Sequence, residues 1–163
     1  MTIDFSKVIP IAELSGEDAA ETAELAEMSS RASTFLRSFR WCRSITTSYA
    51  GIVIPGVVGV FLFNLTPAER GVDEWLWVIV GDLPPAYVTT DDVPNPAAAL
   101  DAYIGEMEQW VEAARSGRSV ENLIPVNVPP TPEYVQKLSK RLQMLDDLVL
   151  SDYEDDLRPP QRN

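Results

Sequence analysis

From Ser44 to Ala68 the chain carries no charged residue, and residues 49–65 are almost wholly apolar. Few folds accommodate such a run. By length alone it suits a membrane-crossing helix, with Arg37, Arg40 and Arg43 as a flank, or a pair of buried strands. Its internal chemistry favours strands. Gly51, Gly56 and Gly59 break it up, Pro55–Gly56 is a turn signal, and β-branched residues are dense in the rest. A second apolar run, residues 75–80, is too short to span a bilayer and follows a polar loop containing Pro67 and Gly71. The two runs predict an antiparallel hairpin, residues 57–65 against 75–80, and no membrane association.

The hairpin has apolar residues on both faces. Phe61, Phe63 and Leu65 share one side with Val57 and Gly59, while Val58, Val60 and Leu62 share the other with Asn64. In the partner strand Trp75, Trp77 and Ile79 oppose Leu76, Val78 and Val80. A half-buried strand would alternate apolar with polar. Either helices cover both sides, which is the favoured reading, or one face is reserved for another chain.

Three amphipathic helices are available as cover. Residues 15–48 read as a long first helix, because Leu25, Met28, Ala32, Phe35, Phe39 and Cys42 recur at steps of three and four. Glu17, Asp18, Glu21, Glu24 and Glu27 load its first half, and Arg31, Arg37, Arg40 and Arg43 its second. That order matches the helix dipole, a simpler explanation of the arginines than an anion site. Asn95 and Pro96 open a second helix as N-cap and first residue, with Leu100, Tyr103, Met107, Trp110 and Ala114 facing inward and Gly117 as a stop. Residues 123–130 form an extended strap and a candidate edge strand. Thr131 and Pro132 open the third helix, whose stripe is Val135, Leu138, Leu142, Leu145 and Val149. The expected fold class is α+β, a small antiparallel sheet centred on the hydrophobic β-hairpin and packed with three amphipathic helices. One domain is expected over residues 1–151, followed by a flexible acidic and proline-rich tail over 152–163.

Composition narrows the chemistry. There is no histidine and a single cysteine, Cys42. Ser-His-Asp and Cys-His activation and histidine-based zinc sites are therefore excluded within this chain. No disulfide can form within it, and residues 1–14 lack the basic start and apolar core of a secretory signal, so a cytoplasmic location is expected. The net charge of −12 repels nucleic acid and anionic membranes and favours basic partners. No glycine-rich phosphate loop is present.

Two acidic groups stand out. Asp82, Asp91 and Asp92 flank Tyr87 on one expected loop, residues 81–92, that follows a buried strand, a common position for functional residues. They lack the ligand spacing of a known metal loop. Asp146, Asp147, Asp152, Glu154, Asp155 and Asp156 make a second concentration of negative potential. Trp75 and Trp77 read as core before they read as a binding platform, and Trp41 and Trp110 as core caps on helical faces.

These features point to a non-catalytic acidic protein-binding module, most concretely a bacterial immunity or antitoxin-like protein neutralising a basic toxic enzyme. The expected contact residues are Asp82, Tyr87, Asp91, Asp92, Asp146, Asp147, Asp152, Glu154, Asp155 and Asp156. No cofactor and no metal are expected on this reading. The alternatives are an enzyme using a metal held by Asp82, Asp91 and Asp92, and a scaffold subunit that forms a homo-oligomer through its two-faced hairpin.

Overall fold

A computed structural model of the chain describes residues 3–67, 70–71 and 73–157. Among these, five strands form one antiparallel sheet in the order β1-β2-β3-β4-β5, so every strand lies beside its sequence neighbour. The strands are β1 (Ile9–Pro10), β2 (Cys42–Ile54), β3 (Val58–Pro67), β4 (Trp75–Gly81) and β5 (Ala86–Thr89). Helix α1 (Ala19–Arg37) precedes β2, and α2 (Pro96–Arg115) and α3 (Pro132–Met144) follow β5. The fold is α+β, as expected.

The expected hairpin is β3 and β4, with Leu62 opposite Trp77 and Phe63 opposite Leu76. Helices cover both of its faces. On one side Val58, Val60, Leu62, Trp77 and Ile79 pack with Leu100, Tyr103, Met107, Trp110, Leu138 and Leu142 from α2 and α3. On the other, Phe61, Phe63, Leu65, Leu76, Val78 and Val80 pack with Met28, Ala32 and Leu36 from α1. This three-layer arrangement explains why neither strand alternates apolar with polar. Each large side chain buried this way contributes roughly 1.5–3 kcal/mol. Among the described residues no helix is long and apolar enough to cross a membrane.

The first helix is shorter than its apolar stripe suggests. Asp18 caps it, its carboxylate accepting from the Glu21 amide at 2.8 Å. It ends at Arg37, and the chain turns through Trp41 before β2 begins at Cys42. Residues 42–48, expected to be helical, are strand, and Trp41 lies in a turn, not on a helical face. The cause is non-local. Ile45, Thr46, Thr47 and Tyr49 favour extended backbone, and β2 satisfies the edge of β3 that would otherwise stay unpaired. Thr46 Oγ1 also donates to the Asn64 carbonyl at 2.9 Å.

Turn and cap chemistry follow the sequence closely. Pro55 and Gly56 join β2 to β3, with the Val57 amide returning to the Ile54 carbonyl at 3.0 Å and Gly56 at φ 72°. The Asn95 side chain accepts from the Ala98 amide at 2.8 Å, and Thr131 receives the Tyr134 amide at 3.4 Å. Gly117 takes φ 69° just beyond α2. The strap over 123–130 adds no strand among the described residues, although Leu123, Ile124 and Val126 pack on the core. Beyond α3 the path stays helical through a wider π turn (Leu145–Val149), a 3-10 turn (Leu150–Tyr153) and α4 (Glu154–Leu157). Residues 158–163 of the expected tail lie outside the described residues.

Candidate functional site

The acidic groups converge most strongly where α2 meets α3. Helix α2 buries Tyr103, Met107, Trp110 and Val111, which leaves Glu108 and Glu112, one turn apart, on its outer surface. Helix α3 and the π turn bury Leu138, Leu142, Leu145 and Val149, leaving Asp146 and Asp147 exposed. The two surfaces line one groove of about 620 Å³, with Gly105 and Arg115 also contributing. A side chain at Gly105 would meet open space, so nothing fills the groove there.

Four carboxylates against one guanidinium leave the groove strongly negative. Among the described residues none of the four forms a salt bridge, although Glu112 accepts a 3.3 Å hydrogen bond from Ser116. Acidic side chains gathered on one exposed surface make its local potential negative and draw cationic groups to it. Because the helical path continues past Met144, Asp146 and Asp147 do not face a free helix C-terminus. Glu108 and Glu112 carry little distinguishing signal in the sequence. Their spacing of four is a weak local signal, and nothing local announces that they meet Asp146 and Asp147.

The remaining acidic positions are distributed elsewhere. Asp152, Asp155 and Asp156 line a separate cleft of about 500 Å³ with Lys7, Gly51 and Pro96. There Asp156 pairs with Lys7 at 3.0 Å, and its carbonyl accepts from Asn95 Nδ2 at 2.9 Å. The Lys7 ammonium is correspondingly raised in pKa, first by its hydrogen bond to Asp156 and then by the charge of that carboxylate. Glu154 is exposed on α4.

Residues 81–92, expected to be one loop, are interrupted by strand β5, which carries Tyr87, and Asp82, Asp91 and Asp92 do not meet. Asp82 follows β4, while Asp91 and Asp92 follow β5, so the four residues of β5 hold them apart by roughly 13 Å. Asp82 accepts from Arg141 Nε at 3.0 Å, and Asp91 and Asp92 are exposed, Asp92 at φ 59°. Among the described residues no three histidine, cysteine or acidic side chains are close enough to share a metal ion. Between the two ends of β5, Tyr87 is 36% exposed and lies edge-on to Phe39 and Trp41 with centroids at 5.4 and 5.2 Å. Phe39 and Trp41 stack on each other at 4.9 Å. Both fall in the stretch whose spacing suits a helix, and the turn after α1 instead brings them beside Tyr87 of β5.

Cys42 is buried, and its thiol is raised in pKa by desolvation against a weaker opposing influence of Arg37. A thiol so placed is a poor nucleophile. Comparison with protein-family models, with curated proteins and with solved structures found no match to this chain.

Proposed function

We propose that the protein is a non-catalytic acidic binding module whose α2–α3 groove receives a basic segment of another protein. Its most concrete form is an immunity or antitoxin-like protein that neutralises a basic toxic enzyme. One observation carries this reading: Glu108, Glu112, Asp146 and Asp147 line a single groove without a salt bridge among the described residues. A lysine or arginine entering the groove exchanges water for charge-assisted hydrogen bonds to these carboxylates. The chain-wide charge of −12 steers the same partner over longer distance.

The test is a comparison of two neutralised variants of the full chain. One carries E108Q, E112Q, D146N and D147N; the other carries E17Q and E24Q as a control of exposed acids elsewhere. Each is used to retain proteins from the native host at low and moderate salt. A stoichiometric basic protein retained by the parent and the control, and lost by the groove variant, is the expected result. Equal retention by all three, or no basic protein retained by the parent, defeats the proposal.

A further inference from the structure

On the other side of α3 the charge reverses. A cleft of about 460 Å³ lies between α3 and the loop joining β4 to β5, a volume in the range of small-molecule sites. Its lining shares no residue with the acidic groove. Tyr134, Lys137, Leu138 and Arg141 enter it from one face of α3, at steps of three, one and three. Leu83 and Pro84 come from the loop, and the Pro84 carbonyl is already taken by the Tyr103 hydroxyl. The cleft thus has an apolar wall and a cationic rim within a chain of net charge −12.

The two cations are not equivalent. Lys137 makes no salt bridge among the described residues. Arg141 is held through Nε alone by the Asp82 carboxylate at 3.0 Å, and the Asp82 side chain is 70% exposed. Such an exposed pair contributes little to stability and is readily exchanged for another carboxylate. Asp82 therefore occupies the place of an anionic ligand while leaving Lys137 without a counterion.

We infer that this cleft is a binding site for a small carboxylate with an apolar body, which displaces Asp82 from Arg141 and adds Lys137 as a second cationic contact. The apolar part lies against Leu83, Pro84 and Leu138, and the Tyr134 ring completes the enclosure. Asp82 acts as an internal competitor that sets the affinity. This site does not depend on the proposed role of the acidic groove.

The probe is 3-phenylpropionate, titrated into the isotope-labelled full chain and followed by amide chemical shifts, with neutral 3-phenylpropanamide as the control ligand. Saturable shifts at Leu83, Lys137 and Arg141 are expected for the acid, with the amide binding on the order of tenfold more weakly. K137Q and R141Q weaken the acid severalfold, whereas K140Q, which removes a neighbouring cation outside the cleft, leaves it unchanged. D82N tightens binding severalfold, an effect that damage to the fold does not produce. Equal affinity for acid and amide, equal loss in K140Q, unchanged or weaker binding in D82N, or no saturable shift up to the solubility limit of the acid overturns the inference.

Discussion

Tyr103 donates its hydroxyl to the Pro84 carbonyl at 2.5 Å, tying the middle of α2 to the loop that joins β4 to β5. Both partners are buried, so the bond closes one wall of the cationic cleft without leaving a polar atom unmatched. Replacing Tyr103 with phenylalanine keeps the ring and orphans the carbonyl. The expected loss is about 1–3 kcal/mol by urea denaturation, with faster amide exchange at Leu83 and Ala86. An unchanged midpoint would mean that the loop is held by other contacts.

The same residue sets an alkaline limit to stability. Burial pushes the Tyr103 phenol well above its ordinary value of 10.0, with Tyr134 acting in the same direction. Below that value both folded and unfolded chains keep the proton, and stability is at its full level. Above it the unfolded chain releases a proton that the folded chain retains, so stability falls as pH rises, by up to about 1.4 kcal/mol per pH unit from this group. Lys7, raised by Asp156, adds a loss of the same sign at high pH. Urea midpoints measured on either side of the phenol range will fall less steeply in Y103F than in the parent. Parallel slopes would remove Tyr103 as the cause.

Two glycines with positive φ separate strain from crowding. Gly56 stands at 72° with nothing within 4 Å of an added Cβ. Gly56→Ala therefore meets only the left-handed backbone penalty, about 1–2 kcal/mol. Gly81 stands at 148°, and a Cβ there would lie 2.2 Å from the Val57 carbonyl oxygen. Gly81→Ala is expected to cost about 3 kcal/mol or more, since backbone must move as well. Equal effects in thermal melts would show that the β3–β4 edge yields more easily than this geometry implies.

The α1 layer rests on few residues. Leu36 is fully buried against the sheet, whereas Leu148 on the π turn is 68% exposed. Leu36→Ala should destabilise by about 2–5 kcal/mol, and Leu148→Ala should change stability by less than about 0.5 kcal/mol. Chemical denaturation of the pair checks the contrast. A small effect at Leu36 would mean that α1 repacks after truncation.

Short-range chemistry was readable in the chain. Asn95–Pro96 and Thr131–Pro132 announced two helix starts, Pro55–Gly56 a turn, and the runs around Phe61 and Trp77 a hairpin with both faces covered. Each depends on sterics or hydrogen bonds within a few residues, or on which faces of one element are apolar. The end of α1 was not readable, because Phe39 and Cys42 extend its stripe while the partner of β2 lies across a turn. The sites were still less so. Asp82, Asp91 and Asp92 are close in sequence but separated by β5, whereas Asp82 and Arg141 are 59 positions apart and hydrogen-bonded. Glu108 and Glu112 join Asp146 and Asp147 only after α2 and α3 have packed on the same face of the sheet. Local backbone preference is written residue by residue. Proximity between distant charges is a by-product of burying apolar faces, and it exists only once those faces have found each other.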